Sequence, residues 1–206
     1  MFDCNTYVIK GNPGIIIDPG SPMFLSTLVD SLHKDGIDPK NIGVITNTHL
    51  HGDHCGADES FKKLSGASIT IHPVQKENYH LVVIDSARFF GLPPAGFKED
   101  AFIDNDRLSA GNTEFELIHA PGHSPDCVCF YNRQEKILIC GDVIFDQNTG
   151  RVDLPGGSAE ELKESIERLS QLEIEYLLPG HMDIVTGAEE VKHNFDFIKG
   201  SVLRWL

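Results

Sequence analysis

Four side chains that can bind metal lie close together in residues 48–54 of the sequence. They are His49, His51, Asp53 and His54, in the pattern H-x-H-x-D-H. The apolar run before them, residues 41–47, predicts a buried strand, and alternation along an extended chain would send His49 and His51 to the same side. Imidazole and carboxylate groups suit zinc, iron and manganese alike. Three histidines and one aspartate at this spacing therefore indicate a metal site rather than a polar loop that is rich in histidine.

Three further candidate ligands each follow a glycine near the end of a predicted strand. They are His123 after a strand at 113–120, Asp142 after a strand at 136–140, and His181 after a strand at 176–178. A glycine lets the backbone turn tightly and direct the next side chain into a cleft. With the first cluster, these residues offer enough donors for two metal ions and one bridging carboxylate. We therefore expect two divalent ions as the cofactor, zinc first, with iron or manganese also suitable.

The composition excludes several classes of protein. The chain has 206 residues, of which 40% are hydrophobic and 23% charged, which suits one globular domain over residues 1–206. A net charge of −14 argues against nucleic acid as a partner. No apolar run approaches the ~18 residues of a membrane span, so no membrane partner is expected. Five cysteines without a framework spacing, and no secretory signal, predict reduced thiols in a cytoplasmic protein.

The predicted elements form two halves, each with strands and helices. The first half has strands at 6–10, 14–18, 42–47 and 68–72, a helix that Ser21 caps and Gly36 ends, and a helix at 56–65. The second half has strands at 113–120, 127–132, 136–140 and 176–178, a helix behind a Ser158–Glu161 capping box, and a helix at 187–199. Two such halves predict a mixed α/β (α+β) fold in which two sheets pack face to face with helices outside.

Residues 79–100 are the least regular part of the sequence. They contain a short apolar run, the aromatic pair Phe89 and Phe90, and a loop rich in glycine and proline at 91–97. One interpretation is a surface insertion with its own small hydrophobic cluster. The other is a flap over the metal site, because loops that carry function are often long and irregular.

The spacing of these motifs, from Asp18-Pro19-Gly20 to His181, resembles the metallo-β-lactamase superfamily, with all seven ligand positions filled. The resemblance implies a four-layer αββα sandwich with the site along one edge of the two sheets. It assigns His49, His51 and His123 to the first metal, Asp53, His54 and His181 to the second, and Asp142 to a bridging position.

Two segments, 141–145 and 150–158, are similar to the glyoxalase II (hydroxyacylglutathione hydrolase) branch and to the related persulfide dioxygenases. True β-lactamases of this fold lack the second-site histidine and the bridging aspartate, so antibiotic hydrolysis is not expected. Typical glyoxalase II also has an extra C-terminal helical region that helps to hold glutathione, and this chain ends at Leu206. A different thioester or a small ester is therefore an alternative substrate.

The expected reaction is hydrolysis of a small-molecule thioester or ester. A hydroxide that bridges the two metals would attack the carbonyl carbon, and Asp53 would orient it. A thiolate leaves without needing a proton donor, because thiols are acidic. Asp18 is either an acceptor for a ligand imidazole or a plain turn residue. Arg151 either binds a substrate carboxylate or pairs with Asp153.

Three other functions compete with this hydrolase. The main alternative is a mononuclear iron persulfide dioxygenase, in which only His49, His123 and Asp142 would bind metal as a 2-His-1-carboxylate triad. A nuclease is disfavoured by the acidic charge and the short chain. A non-catalytic metal-binding protein is poorly supported, because the ligand set of a hydrolase is complete.

Overall fold

The computed structural model describes residues 3–206 and contains two β-sheets. The first sheet consists, in spatial order, of β1 (Tyr7–Ile9), β2 (Gly14–Ile17), β3 (Ile42–Thr46), β4 (Ser68–Ile71) and β5 (Ala101–Phe102). The strands of the second sheet are, in chain order, β6 (Arg107–Ala110), β7 (Thr113–His119), β8 (Val128–Asn132), β9 (Ile137–Gly141), β10 (Tyr176–Pro179) and β11 (Val185–Thr186). Their spatial order is β11-β10-β9-β8-β7-β6. Strands β2 to β5 pair in parallel, as do β9 and β10.

Helices connect the strands and cover the outer faces of the sheets. They are α1 (Leu25–Lys34) after a 3₁₀ turn at Pro22–Phe24, a 3₁₀ turn at Pro39–Asn41, α2 (Gly52–Cys55), α3 (Asp58–Ser65), α4 (Pro73–Glu77), a π-helical turn at His80–Asp85 that continues into α5 (Ser86–Phe90), α6 (Ala159–Leu169), and α7 (Ala188–Phe197) with a π-helical end at Ile198–Val202.

Alternation along β2 places hydrophobic side chains on both faces of the first sheet. Ile15 and Ile17 pack between the sheets in one cluster with Phe130 of β8. Ile16 points to the opposite face and packs with Phe61 of α3. All five side chains are at most 1% exposed, so this strand is buried on both sides. A strand covered on both faces has a continuous apolar sequence, as the Gly-Ile-Ile-Ile run of β2 does.

The second sheet is covered in the same way on its outer face. Cys129 and Tyr131 of β8 pack with Leu162 and Ile166 of α6, and with Phe195 of α7. The apolar stripe predicted for the helix after Ser158 is therefore core. The order of layers is helix, sheet, sheet, helix, which confirms the predicted αββα sandwich.

Two predicted helix caps differ from the structure. Ser21 makes no capping hydrogen bond with its side chain, and its backbone N–H donates to Asp3 Oδ1 at 2.8 Å instead. Ser158 does accept from the backbone N–H of Glu161, at 3.3 Å. The backbone N–H of Ser158 donates to the carbonyl oxygen of Gly122 at 2.7 Å, so it is already satisfied without the Glu161 side chain. Only one half of the predicted capping box is made.

The segment 79–100 is more regular than its sequence predicts. The prediction of irregular structure is wrong for residues 80–90, which are helical. It is right for residues 91–100. Val82 and Val83 are buried in a small cluster with Leu50 and Cys55 beside the histidine loop. The segment therefore has its own hydrophobic cluster, and that cluster includes residues of the loop that bears the metal-binding motif.

The five cysteines are all free thiols, and four of them are buried. Cys55 packs under the histidine loop and donates to the carbonyl oxygen of Leu50 at 3.3 Å. Within residues 3–206, no helix combines the length and the apolar character needed to cross a bilayer. The cytoplasmic location stays a prediction.

Candidate metal centre

Three histidine side chains meet at one point on the edge of the sandwich. His49 and His51 lie between β3 and α2, and His123 lies in the loop between β7 and β8. His51 Nδ1 is 3.0 Å from His49 Nε2 and 2.9 Å from His123 Nε2. All three side chains are buried. Their inner nitrogens are thus as close together as the ligands of a single ion.

The outer contacts of two of these rings fix which nitrogen carries hydrogen. His123 Nδ1 lies 2.7 Å from the carbonyl oxygen of Arg151, which can only accept, so His123 Nε2 carries a bare lone pair. Thr48 Oγ1 donates to Asp18 at 2.7 Å and therefore accepts from His49 Nδ1 at 3.2 Å, which leaves His49 Nε2 bare as well. Burial, with neighbouring His123, lowers the pKa of His51 to about 3. Neutral rings with converging lone pairs are the form that binds a cation.

A second group of donors lies beside the first and contains Asp53, His54 and His181. His181 Nε2 is 3.4 Å from Asp53 Oδ2, and His54 Nε2 is 3.3 Å from Asp142 Oδ1. His54 Nε2 and Asp142 Oδ1 are buried and have no other hydrogen-bond partner within residues 3–206. Burial would lower the pKa of His54, but Cys4, Asp142 and Asp18 raise it well above its ordinary value. This position therefore favours positive charge.

Asp142 lies between the two groups. Its Oδ2 atom is 3.5 Å from His123 Nε2 on one side and 3.5 Å from His181 Nε2 on the other. Burial would raise the pKa of Asp142, but the surrounding His54, His123 and His181 lower it. An ionised carboxylate with this placement can bind two cations at once. The structure thus brings all seven sequence-predicted ligands together, and their donor atoms fit two divalent ions.

Asp18 supports both groups from behind, at the end of β2. Its Oδ1 accepts from the backbone N–H of Thr48 at 2.8 Å. Its Oδ2 lies 3.0 Å from His54 Nδ1, so the outer nitrogen of His54 donates to it. Asp18 therefore accepts from the imidazole of a candidate ligand, as one interpretation expected, and is more than a plain turn residue. One carboxylate orients His54 directly and His49 through Thr48.

Asp126 is a supporting residue that the sequence did not reveal. It is fully buried, and its two oxygens accept from the backbone N–H of Leu50 at 3.0 Å and from Ser124 Oγ at 2.6 Å. It therefore fastens the His49–His51 loop to the His123 loop. Burial raises its pKa to about 7. Leu50 and Asp126 are 76 residues apart in the sequence, and no local pattern announces a contact over that distance.

Arg151 pairs with Asp153 and also lies in the cavity wall. Its Nε and Nη2 atoms donate to the two carboxylate oxygens of Asp153 at 2.6 and 2.7 Å. This is the structural pair that the sequence suggested. Arg151 also lines the cavity that contains the metal-binding side chains, with its guanidinium 5.9 Å from the centre of the Phe90 ring. Its role in substrate binding stays a prediction.

One large cavity, of about 860 Å³, opens onto the candidate ligands. His51, Asp53, His123, Asp142 and His181 form part of its wall. Another part comes from the segment 79–100. This cavity gives a small molecule access to both groups of donors.

A comparison with known protein families identifies the family of the chain. Residues 1–181 match the model of the metallo-beta-lactamase superfamily. The chain belongs to the metallo-beta-lactamase superfamily. Among its relatives in that superfamily is "Probable metallo-hydrolase MJ0888" of Methanocaldococcus jannaschii, 34% identical over 193 residues, or 89% of each chain. "Hydroxyacylglutathione hydrolase GloC" of Haemophilus influenzae is 30% identical over 188 residues, with 87% of this chain and 84% of GloC covered.

Solved structures of superfamily members share the fold. The BLEG-1 B3 metallo-beta-lactamase is 31% identical, with a TM-score of 0.77 and 93% and 92% of the two chains covered. TTHA1623, solved in a di-iron-bound form, is 29% identical, with a TM-score of 0.72 and 89% of each chain covered. These likenesses agree with the two sheets and outer helices described above.

The two groups of donors predict different effects of two substitutions. Asp142→Ala removes the carboxylate between both groups, so both ions should bind more weakly. The loss of metal affinity should exceed the ~10–100-fold that substitutions of supporting residues cause. His181→Ala should mainly release one of the two. Titration with zinc followed by elemental analysis gives ions per chain. The exposed His193→Ala is the control and should keep the wild-type number. Two ions in Asp142→Ala would refute the shared carboxylate.

A substitution at Gly180 provides a steric test of the arrangement of the candidate ligands. A Cβ atom at this position would lie 2.2 Å from Asp142 Oδ1 and 2.8 Å from His54 Cε1. We expect Gly180→Ala to displace both ligands and lower the bound metal measured by elemental analysis. Gly200→Ala is the matched control, because nothing lies within 4 Å of a Cβ there. Equal metal content in the two variants would contradict the arrangement.

Proposed function

We propose that this chain is a dinuclear metal-dependent hydrolase that cleaves a thioester or a small ester. The observation that carries the proposal is the position of Asp142 Oδ2, at 3.5 Å from a histidine of each donor group. A bridging carboxylate between two sets of three ligands is the arrangement expected of a two-metal hydrolase. The superfamily membership, and the names of MJ0888 and GloC, support a metal-dependent hydrolase.

The ligands divide between the two ions as the donor groups do. His49, His51 and His123 would hold one ion, Asp53, His54 and His181 the other, and Asp142 both. When bound, such ions lower the pKa of a water molecule and polarise a substrate carbonyl. Zinc suits the nitrogen-rich first group. Iron also suits both groups, and the di-iron form of TTHA1623 supports it.

The chain's own residues would orient the reactants. Burial would raise the pKa of Asp53, but the hydrogen bond with His181 and the nearby His54 hold it well below its ordinary value. The ionised Asp53 carboxylate can accept a hydrogen bond from the attacking water and direct its lone pair at the carbonyl carbon. A carbon–oxygen bond then forms and the carbon–sulfur bond breaks. The products are a carboxylate and a thiol: of the two protons of the attacking water, one ends on the thiol sulfur and the other is released to solvent.

The substrate chemistry is proposed from the leaving group. Thiols are acidic, so a thiolate leaves without an acid catalyst, and no such acid is required of the site. The name of GloC supports a thioester for that relative. The name of BLEG-1 instead denotes a β-lactamase, which the sequence disfavours for this chain, so a β-lactam belongs in the test.

If the protein is a hydrolase, it should turn over its substrate without oxygen. Zinc-, manganese- and iron-loaded protein should each cleave a thioester such as S-lactoylglutathione under anaerobic conditions, because Lewis-acid catalysis needs no change of oxidation state. Release of thiol measures this activity. Oxygen uptake with glutathione persulfide, and cleavage of nitrocefin, are measured on the same preparations. If iron-loaded protein consumes oxygen and zinc-loaded protein cleaves no thioester or ester, the dioxygenase alternative replaces the proposal.

A substitution of Arg151 should affect the KM of anionic substrates selectively. If its guanidinium contacts a substrate carboxylate, Arg151→Ala should raise the KM of an anionic thioester about tenfold and leave that of a neutral ester nearly unchanged. Asp153→Ala is the matched control, since it removes the same ion pair but leaves the guanidinium. Equal losses in both variants, with lower melting temperatures, would favour a purely structural pair.

A further inference from the structure

The walls of the cavity beside the candidate ligands are largely apolar. Its lining comes from the 3₁₀ turn at Pro22–Phe24, from the segment 79–100, and from the loop after β9. Val82, Val83 and Leu154 line its buried part, each at most 7% exposed. The volume of about 860 Å³ lies in the upper part of the ~300–1,000 Å³ range of small-molecule sites. Such a space is much larger than an acetyl or lactoyl group requires.

Exposed apolar side chains continue from the cavity to its open side. Met23 is 81% exposed, Phe90 41% and Leu92 51%, and all three line the cavity. Single exposed apolar residues are ordinary, but a group around the opening of an apolar cavity indicates a binding groove. Met23 belongs to the 3₁₀ turn, whereas Phe90 and Leu92 belong to the segment 79–100. The groove therefore lies between two separate parts of the chain.

Lysine and arginine side chains are scarce in the walls of the same cavity, away from the candidate ligands. Of the residues that the structure describes, Arg151 is the only lysine or arginine in the lining, and it is paired with Asp153. The net charge of the whole chain is −14. Anionic thiol carriers, with carboxylates or phosphates, need cationic partners. The cavity offers them few, so the carrier is poorly suited to its apolar part.

We propose that the cavity binds the acyl chain of the substrate, and that the preferred substrate is a thioester or ester of a medium- or long-chain fatty acid. The inference rests on the hydrolase function proposed above and specifies its substrate. The carbonyl group lies at the candidate ligands, the acyl chain extends along the apolar walls, and the charged carrier stays toward solvent. Burial of each methylene group is worth about 0.8 kcal/mol, or roughly a fourfold change in kcat/KM.

The acyl chain is tested with thioesters that share one small neutral thiol. S-acyl-N-acetylcysteamine compounds from acetyl to dodecanoyl should give kcat/KM values that rise about three- to fourfold per methylene over several steps, and then level off. A parallel series varies the thiol at constant acyl group. A flat or falling acyl series, or a rise only with the length of the thiol, overturns the inference while the hydrolase stands. No cleavage of any member by metal-loaded protein defeats the proposed function itself.

A matched pair of phenylalanines tests the cavity directly. Phe90 lines it and Phe89 does not, although Phe89 is more exposed, at 57%. Phe90→Ser should lower kcat/KM for the decanoyl thioester about five- to tenfold and change that for the acetyl thioester little. Phe89→Ser should resemble the wild type with both. Equal effects of the two substitutions would overturn the inference.

Binding provides a readout that does not depend on turnover. The neutral fluorophore N-phenyl-1-naphthylamine should bind metal-loaded protein and be displaced by alkyl methyl ketones, more tightly as the alkyl chain lengthens. Ketones cannot be hydrolysed, so the result is independent of catalysis. Phe90→Ser should weaken the longer ketones severalfold, and Phe89→Ser should not. Displacement that is independent of chain length would overturn the acyl assignment even if the protein hydrolyses thioesters.

Discussion

The structure depends on one constraint. The chain must hold lone pairs and negative charges close together at one buried point. The Nε2 atoms of His49 and His123 each lie about 3 Å from His51 Nδ1, and a carboxylate faces them. Without a cation, such groups repel one another. The surrounding chain must hold them in place, and Asp18 and Asp126 do so through hydrogen bonds to four other residues.

The two sheets divide the task of presenting these groups. The first sheet supplies four of the candidate ligands after β3, two in the loop and two in α2. The second sheet supplies one candidate ligand after each of β7, β9 and β10. Because the sheets pack face to face through Ile15, Ile17 and Phe130, the ends of strands from both meet at one edge. The hydrophobic contact between the sheets thus positions polar groups that lie outside it.

The sequence predicted what short-range patterns determine. Strand alternation, the apolar stripe of α6 and the spacing of histidines and aspartates were sufficient for the layers and for the candidate ligands. Short strands such as β5 and β11 escaped prediction, because two residues carry no period. The contact of Asp126 with Leu50 escaped it because it depends on how the two sheets meet. Residues 80–90 were misjudged because their helix, packed through Val82 and Val83, lacks a clear polar face.

Arg151 contacts His123 through its carbonyl oxygen, whereas its side chain lies in the wall of the cavity. Every amino acid has that carbonyl group, so the support of His123 does not depend on the identity of residue 151. Evolution could therefore exchange this side chain, and with it the chemistry of one part of the cavity wall, without disturbing a candidate ligand. A position of this kind lets descendants of one enzyme diverge in specificity while they inherit the same catalytic centre.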